Sequence, residues 1–147
     1  MVKHEIAATA EQLERGSSQR TGRTARNPGE TLALVQGVYY LVTGIWPLVS
    51  IRTFTMVTGP KTDLWLVKTV GVLAAVIGAV LESAGRRRRI TREIHLLGSG
   101  SAAGFAAIDL VYVLRRRISP VYLLDAVVEA AVGVGWVLAW MRMRQPM

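Results

Sequence analysis

Four stretches of the chain stay apolar for about the length that crosses a bilayer: residues 31–50, 64–84, 94–114 and 121–141. At 1.5 Å rise per residue, roughly 20 residues span the hydrocarbon core, so each stretch predicts a membrane-spanning helix. Short links between them set neighbouring helices antiparallel. The expected fold is all-α, a four-transmembrane-helix antiparallel bundle over residues 31–147. The third stretch is the most polar, because Gly98, Ser99, Gly100, Ser101 and Gly104 dilute it. If it did not span, the C-terminus would change sides.

Residues 1–30 follow another pattern. Glu5, Glu11, Glu14 and Glu30 mix with Lys3, Arg15, Arg20, Arg23 and Arg26 among Ser, Thr and Gly. Such a segment buries too little surface to offset its ordering entropy, so it reads as a disordered cytoplasmic tail with room for a short amphipathic helix over residues 6–13. It lacks the apolar core that follows the basic start of a signal peptide, and the first apolar run is expected to be retained.

Composition narrows the class. The chain has 147 residues, 51% hydrophobic, a net charge of +8 and no cysteine. That length allows one compact unit. A basic balance usually suggests nucleic acid, but several bilayer-length apolar runs argue against it. Arg86, Arg87, Arg88 and Arg89 follow a span and carry no interleaved aromatic residues to stack bases, so they read as a topology anchor against anionic lipid. The lipid bilayer, and not nucleic acid, is the expected partner. Without cysteine there are no disulfides, thiolate metal sites or thiol catalysis, and two histidines define no metal centre. No cofactor fingerprint is present.

Basic residues also orient the bundle. With the N-terminus inside, the cytoplasmic side holds five from the tail, five from the second loop (Arg86 to Arg89 and Arg92) and two at the end (Arg142, Arg144); the outer side holds Arg52, Lys61, Arg115, Arg116 and Arg117. Twelve against five predicts both termini in the cytoplasm.

The candidate chemistry is a set of charges inside the spans. Lys68 lies about one turn below the outer end of the second helix. Asp109 lies at a similar depth in the third, and Asp125 and Glu129 follow one turn apart in the fourth. All four fall in the outer third under this topology. Charged groups in hydrocarbon face the bundle interior or a water-filled cavity, so these residues predict a buried polar network. One ammonium among three carboxylates leaves two negative charges in excess. Protons, a bound cation, or an arginine leaning in from Arg52 or Arg115 to Arg117 would relieve it. Snorkelling side chains at the headgroups are the plain alternative.

Helical spacing supports inward placement. Lys68, Gly71, Ala75, Gly78 and Glu82 share one stripe of the second helix; His95, Gly98, Ala102, Phe105, Asp109 and Tyr112 one of the third; Tyr122, Asp125, Glu129, Val132, Trp136 and Ala139 one of the fourth. A secondary pair, Glu82 with His95, is expected to meet at the inner surface. Gln36, Tyr40, Thr43, Pro47 and Ser50 make a polar, uncharged face on the first helix. Tyr39, Tyr40, Trp46, Trp65, Tyr112 and Tyr122 toward the outer ends, and Trp140 toward the inner end, read as interfacial aromatics. Gly100 and Gly104 form a GxxxG pair on another side of the third helix, suited to a second neighbour or subunit. Residues 51–63 read as a loop in which Thr62 or Asp63 caps the second helix.

Residues 39–47 (YYLVTGIWP), 57–71 (VTGPKTDLWLVKTVG), 107–112 and 118–125 (ISPVYLLD) resemble an uncharacterised family of small bacterial four-span integral membrane proteins. The likeness covers about residues 36–140. It implies the four-helix topology and a bacterial inner membrane, and carries no assigned activity.

Three functions fit these residues. The leading one is a non-catalytic interaction or accessory protein whose charged network fixes helix register. The second is a proton- or cation-coupled small transporter or channel acting as an oligomer, with Glu129 and Asp125 binding the ion beside Lys68. The third is an intramembrane enzyme, which the carboxylates would serve as acid and base; no nucleophile, metal set or cofactor motif accompanies them. A homo-oligomer or another membrane protein is the expected protein partner.

Overall fold

The computed structural model describes residues 26–143, so the expected tail lies mainly outside the described residues. The chain is all-helical, with four helices long and apolar enough to cross a membrane. In chain order these are α1 (Pro28–Val49), the short α2 (Ile51–Thr58), α3 (Leu64–Arg86), α4 (Arg92–Leu114) and α5 (Tyr122–Met143).

Two boundaries differ from the hydropathy reading. Helix α1 starts at Pro28, three residues inside the expected tail. Proline at a first helical position gives up no needed N–H, and the Asn27 amide donates to the Glu30 carboxylate at 3.2 Å, a local cap that apolar periodicity does not register. Within residues 51–63, Ile51–Thr58 is helical instead of a loop. The Ser50 hydroxyl accepts from the Thr53 amide at 3.4 Å and begins that helix. The expected cap on α3 is also corrected: the Asp63 side chain makes no capping bond, and its backbone carbonyl takes the amides of Leu66 and Val67 at 3.1 and 3.2 Å.

The bundle is two antiparallel hairpins, α1 with α3 and α4 with α5, joined chiefly where α1 meets α5; α3 and α4 touch little. Glycine makes the first hairpin tight. A Cβ on Gly37 would fall 2.5 Å from the Glu82 amide nitrogen, and one on Gly78 2.7 Å from the Gly37 carbonyl oxygen. Gly44 and Gly71 meet in the same way nearer the other end. In lipid, where apolar burial gives helices no net drive to associate, such backbone approach supplies the packing contact.

Only 17–33% of the residues in each span are buried, and large apolar side chains such as Val42, Leu73, Leu96 and Leu124 point outward. A water-soluble bundle could not carry that surface. The chain is a multi-pass membrane protein.

Candidate functional site

The interior between the hairpins is polar, and it is built on α1. Gln36 and Tyr40, one turn apart, are 1% and 2% exposed and face α4 and α5. Gln36 is satisfied on both ends: its Nε2 donates to the Gly98 carbonyl at 2.8 Å and to the Tyr40 hydroxyl at 3.1 Å, while its Oε1 accepts from the Trp136 indole N–H at 2.7 Å. Trp136 is fully buried. Gly98 permits this, since a Cβ there would lie 2.6 Å from the indole ring. An unmet amide in this environment would cost about 1–3 kcal/mol, so the three-helix arrangement is specified by bonds as well as shape.

From Tyr40 the polar chain continues outward. Its hydroxyl donates to Glu129 Oε2 at 2.9 Å, and Glu129 is 1% exposed. The neighbouring Tyr39 hydroxyl donates to Asp125. Asp125 in turn lies close enough to Asp109, on α4, for the two carboxyl groups to interact. Asp109 is 7% exposed, and its Oδ2 is buried without a hydrogen-bond partner. The Tyr40 and Phe105 rings meet edge to face at 5.4 Å and hold α4 against α1 beside this cluster. Three carboxyl groups from two helices thus converge under two tyrosine hydroxyls.

Lys68 is not with them. It is exposed, and among the described residues it makes no ion pair with a carboxylate. The buried face of α3 runs through Gly71, Ala74, Gly78, Leu81 and Gly85. Continued outward at the same spacing, that register reaches Val67, which leaves Lys68 turned about 100° away. Because α3 packs on α1 and scarcely touches α4, its lysine has no route to the acids.

The inner-side pair is also not formed. Glu82 is taken by Arg86 on its own helix, one turn on. His95 sits between the rings of Trp136 and Trp140, at 5.1 and 4.8 Å, and its Nε2 is buried without a partner.

Two site residues escaped the sequence reading. Tyr39 was expected among the interfacial aromatics, although its place three residues after Gln36 already put it near the polar face. Trp136 lay on the right stripe with Asp125 and Glu129, but nothing in the sequence signals that its indole meets a glutamine 100 residues away.

Beside the cluster a groove of about 560 Å³ opens between α4 and α5, lined by Glu129, Ser99, Gly100, Ala103, Ala130 and Gly133. Gly100 and Gly133 have no heavy atom within 4 Å of where a Cβ would stand, so the groove is open along its small-residue wall. Among the described residues, no three histidine or acidic side chains are grouped to hold a metal ion. No family model, curated relative or solved structure matches this chain.

Proposed function

We propose that this protein is a proton-coupled transporter or channel subunit of a bacterial inner membrane, working as an oligomer, with Glu129 as the proton-exchanging group and Asp125 and Asp109 beside it. The observation that carries this reading is the convergence of three carboxyl groups with which, among the described residues, no lysine or arginine forms an ion pair. A lysine in the cluster would have offset part of the negative charge; without it, protons taken up by the carboxyl groups are the simplest way to relieve that charge in a low-dielectric interior. The groove beside Glu129 lies open on the α4–α5 face, and a second subunit seated over it would enclose a path to that carboxyl group. Both termini lie in the cytoplasm on this reading, following the basic-residue bias and the resemblance to small bacterial four-span proteins.

The test is proton flux into liposomes holding the full chain and a pH-sensitive dye, driven by a potassium diffusion potential. Wild-type protein raises flux above empty vesicles and Glu129→Gln returns it to that baseline. Equal flux from both variants rejects the role of Glu129. Cysteines at positions 61, 88 and 116 test orientation, since labelling at 88 from outside, with 61 and 116 protected, reverses it.

A second reading is favoured by the open face of α4, where Gly100 and Gly104 meet nothing within 4 Å. A non-catalytic interaction protein would seat a partner helix there. It predicts no flux, co-purification with that partner, and loss of the complex in Gly104→Leu.

A further inference from the structure

The ends of α3 and α4 that face the second loop enclose a groove of about 480 Å³, open to the bundle surface and unrelated to the carboxyl cluster. Val76, Val80 and Ile94 wall it, Ala79 and Ala84 lie between them, and Arg87 and Arg89 stand at its loop end. The space exists because α3 turns its glycine face to α1 and α4 turns to α5, leaving these two helices apart.

The arginines are held in place by backbone. Helix α3 ends with the Arg88 amide bonded to the Gly85 carbonyl and the Arg89 amide to the Ala84 carbonyl, a closing turn in which Arg88 takes φ 54°. Glycine would adopt that conformation freely, whereas a side chain there costs about 1–2 kcal/mol. The turn sets Arg87 and Arg89 on either side of it. Among the described residues neither pairs with a carboxylate, in contrast to Arg86, which Glu82 engages.

We propose that this groove binds one anionic phospholipid, its acyl chain along Val76, Val80 and Ile94 and its phosphate between the guanidinium groups of Arg87 and Arg89. Charge complementarity selects the occupant: guanidinium matches phosphate oxygens with paired hydrogen bonds, and basic clefts between spanning helices are suited to lipid phosphates. An apolar partner helix would leave both arginines unmet. A free phosphate would leave the apolar walls empty.

The full chain in nanodiscs of phosphatidylcholine, titrated with phosphatidylglycerol carrying a photoactivatable acyl chain, reads the site directly. Crosslinks are expected on peptides bearing Val76, Val80 and Ile94. The double variant Arg87→Gln, Arg89→Gln is expected to lower crosslinking about tenfold, the loss of two charge-assisted contacts. Ala79→Trp, which fills the groove and keeps both charges, is expected to lower it similarly. Arg115→Gln with Arg117→Gln removes the same charge at the opposite end of the bundle and is expected to change nothing there. Crosslinks spread evenly over the spans of the wild-type chain, equal labelling by a phosphatidylcholine probe, or equal loss in the Arg115/Arg117 control overturns the proposal. The wild-type crosslink map decides the matter even if a variant fails to fold.

Discussion

The two hairpins use the same small residues for opposite purposes. In α1 and α3, Gly37, Gly44, Gly71 and Gly78 face backbone of the opposite helix so closely that no side chain could be added, and the acid buried in this hairpin, Glu30 at the start of α1, is engaged by the Asn27 amide of its own helix start. In α4 and α5, Gly100, Gly104 and Gly133 face nothing, while Asp109 and Glu129 point to the interior. One hairpin is a closed scaffold, and the other carries the ionisable groups and an open face. Rigidity and chemistry are thus separated along the chain, with Gln36 and Tyr40 on the scaffold reaching across to hold the acids in place.

The largest effect tests the scaffold. A Cβ on Gly78 would lie 2.7 Å from the Gly37 carbonyl oxygen and from the Leu41 amide nitrogen, so Gly78→Leu has to drive the two helices apart. The expected loss is about 3 kcal/mol or more, enough to abolish folded, monodisperse protein in detergent. Gly104→Leu, made where no atom lies within 4 Å, is expected to leave the melting temperature of the single chain unchanged. Comparable melting of both variants would dissolve the distinction between the hairpins.

A loss of similar or smaller size, depending on the variant, is expected at the joint between them. Trp136 is fully buried, packs on Gly98 and donates to Gln36. Trp136→Ala removes the ring and leaves the amide oxygen unmet, for about 3–5 kcal/mol, while Trp136→Phe keeps most of the packing and costs about 1–3 kcal/mol through the lost hydrogen bond. Fluorescence-independent melting, by circular dichroism, separates the two. The hairpin α1–α3 should keep its helicity in Trp136→Ala, since nothing in its glycine seam is touched.

How far the sequence anticipates this arrangement depends on the scale of the force involved. The four spans are legible because hydropathy and length answer to the bilayer, which every residue of a span meets. The stripe of Asp125, Glu129, Trp136 and Ala139 is legible because α5 is regular and its polar groups avoid lipid. Helix α2 is not: eight residues containing Arg52, Thr53 and Thr55 make no sustained run, and the Ser50 cap that starts it is a single hydrogen bond. The meeting of Glu82 with His95 failed for a related reason, since Arg86 stands one turn from Glu82 and needs no tertiary contact to reach it. The register of α3 differs by one residue from the stripe that the spacing predicts, because Gly71 and Gly78 serve either stripe and only the contact with α1 chooses Ala74 and Leu81 over Ala75 and Glu82.

That one-residue shift yields the smallest and sharpest prediction. If Lys68 belonged to the polar interior, replacing it would strand three acids and destabilise the bundle by several kcal/mol, as breaking a buried pair does at about 3–5 kcal/mol. Exposed on α3 and unpaired with any described carboxylate, it should instead be silent. Lys68→Met is expected to move stability by no more than about 0.5 kcal/mol and to leave proton flux through the Glu129 cluster at the wild-type level. A large loss of stability, or flux altered to the extent expected of Glu129→Gln, would return the lysine to the acids and remove the reason for calling on protons to balance them.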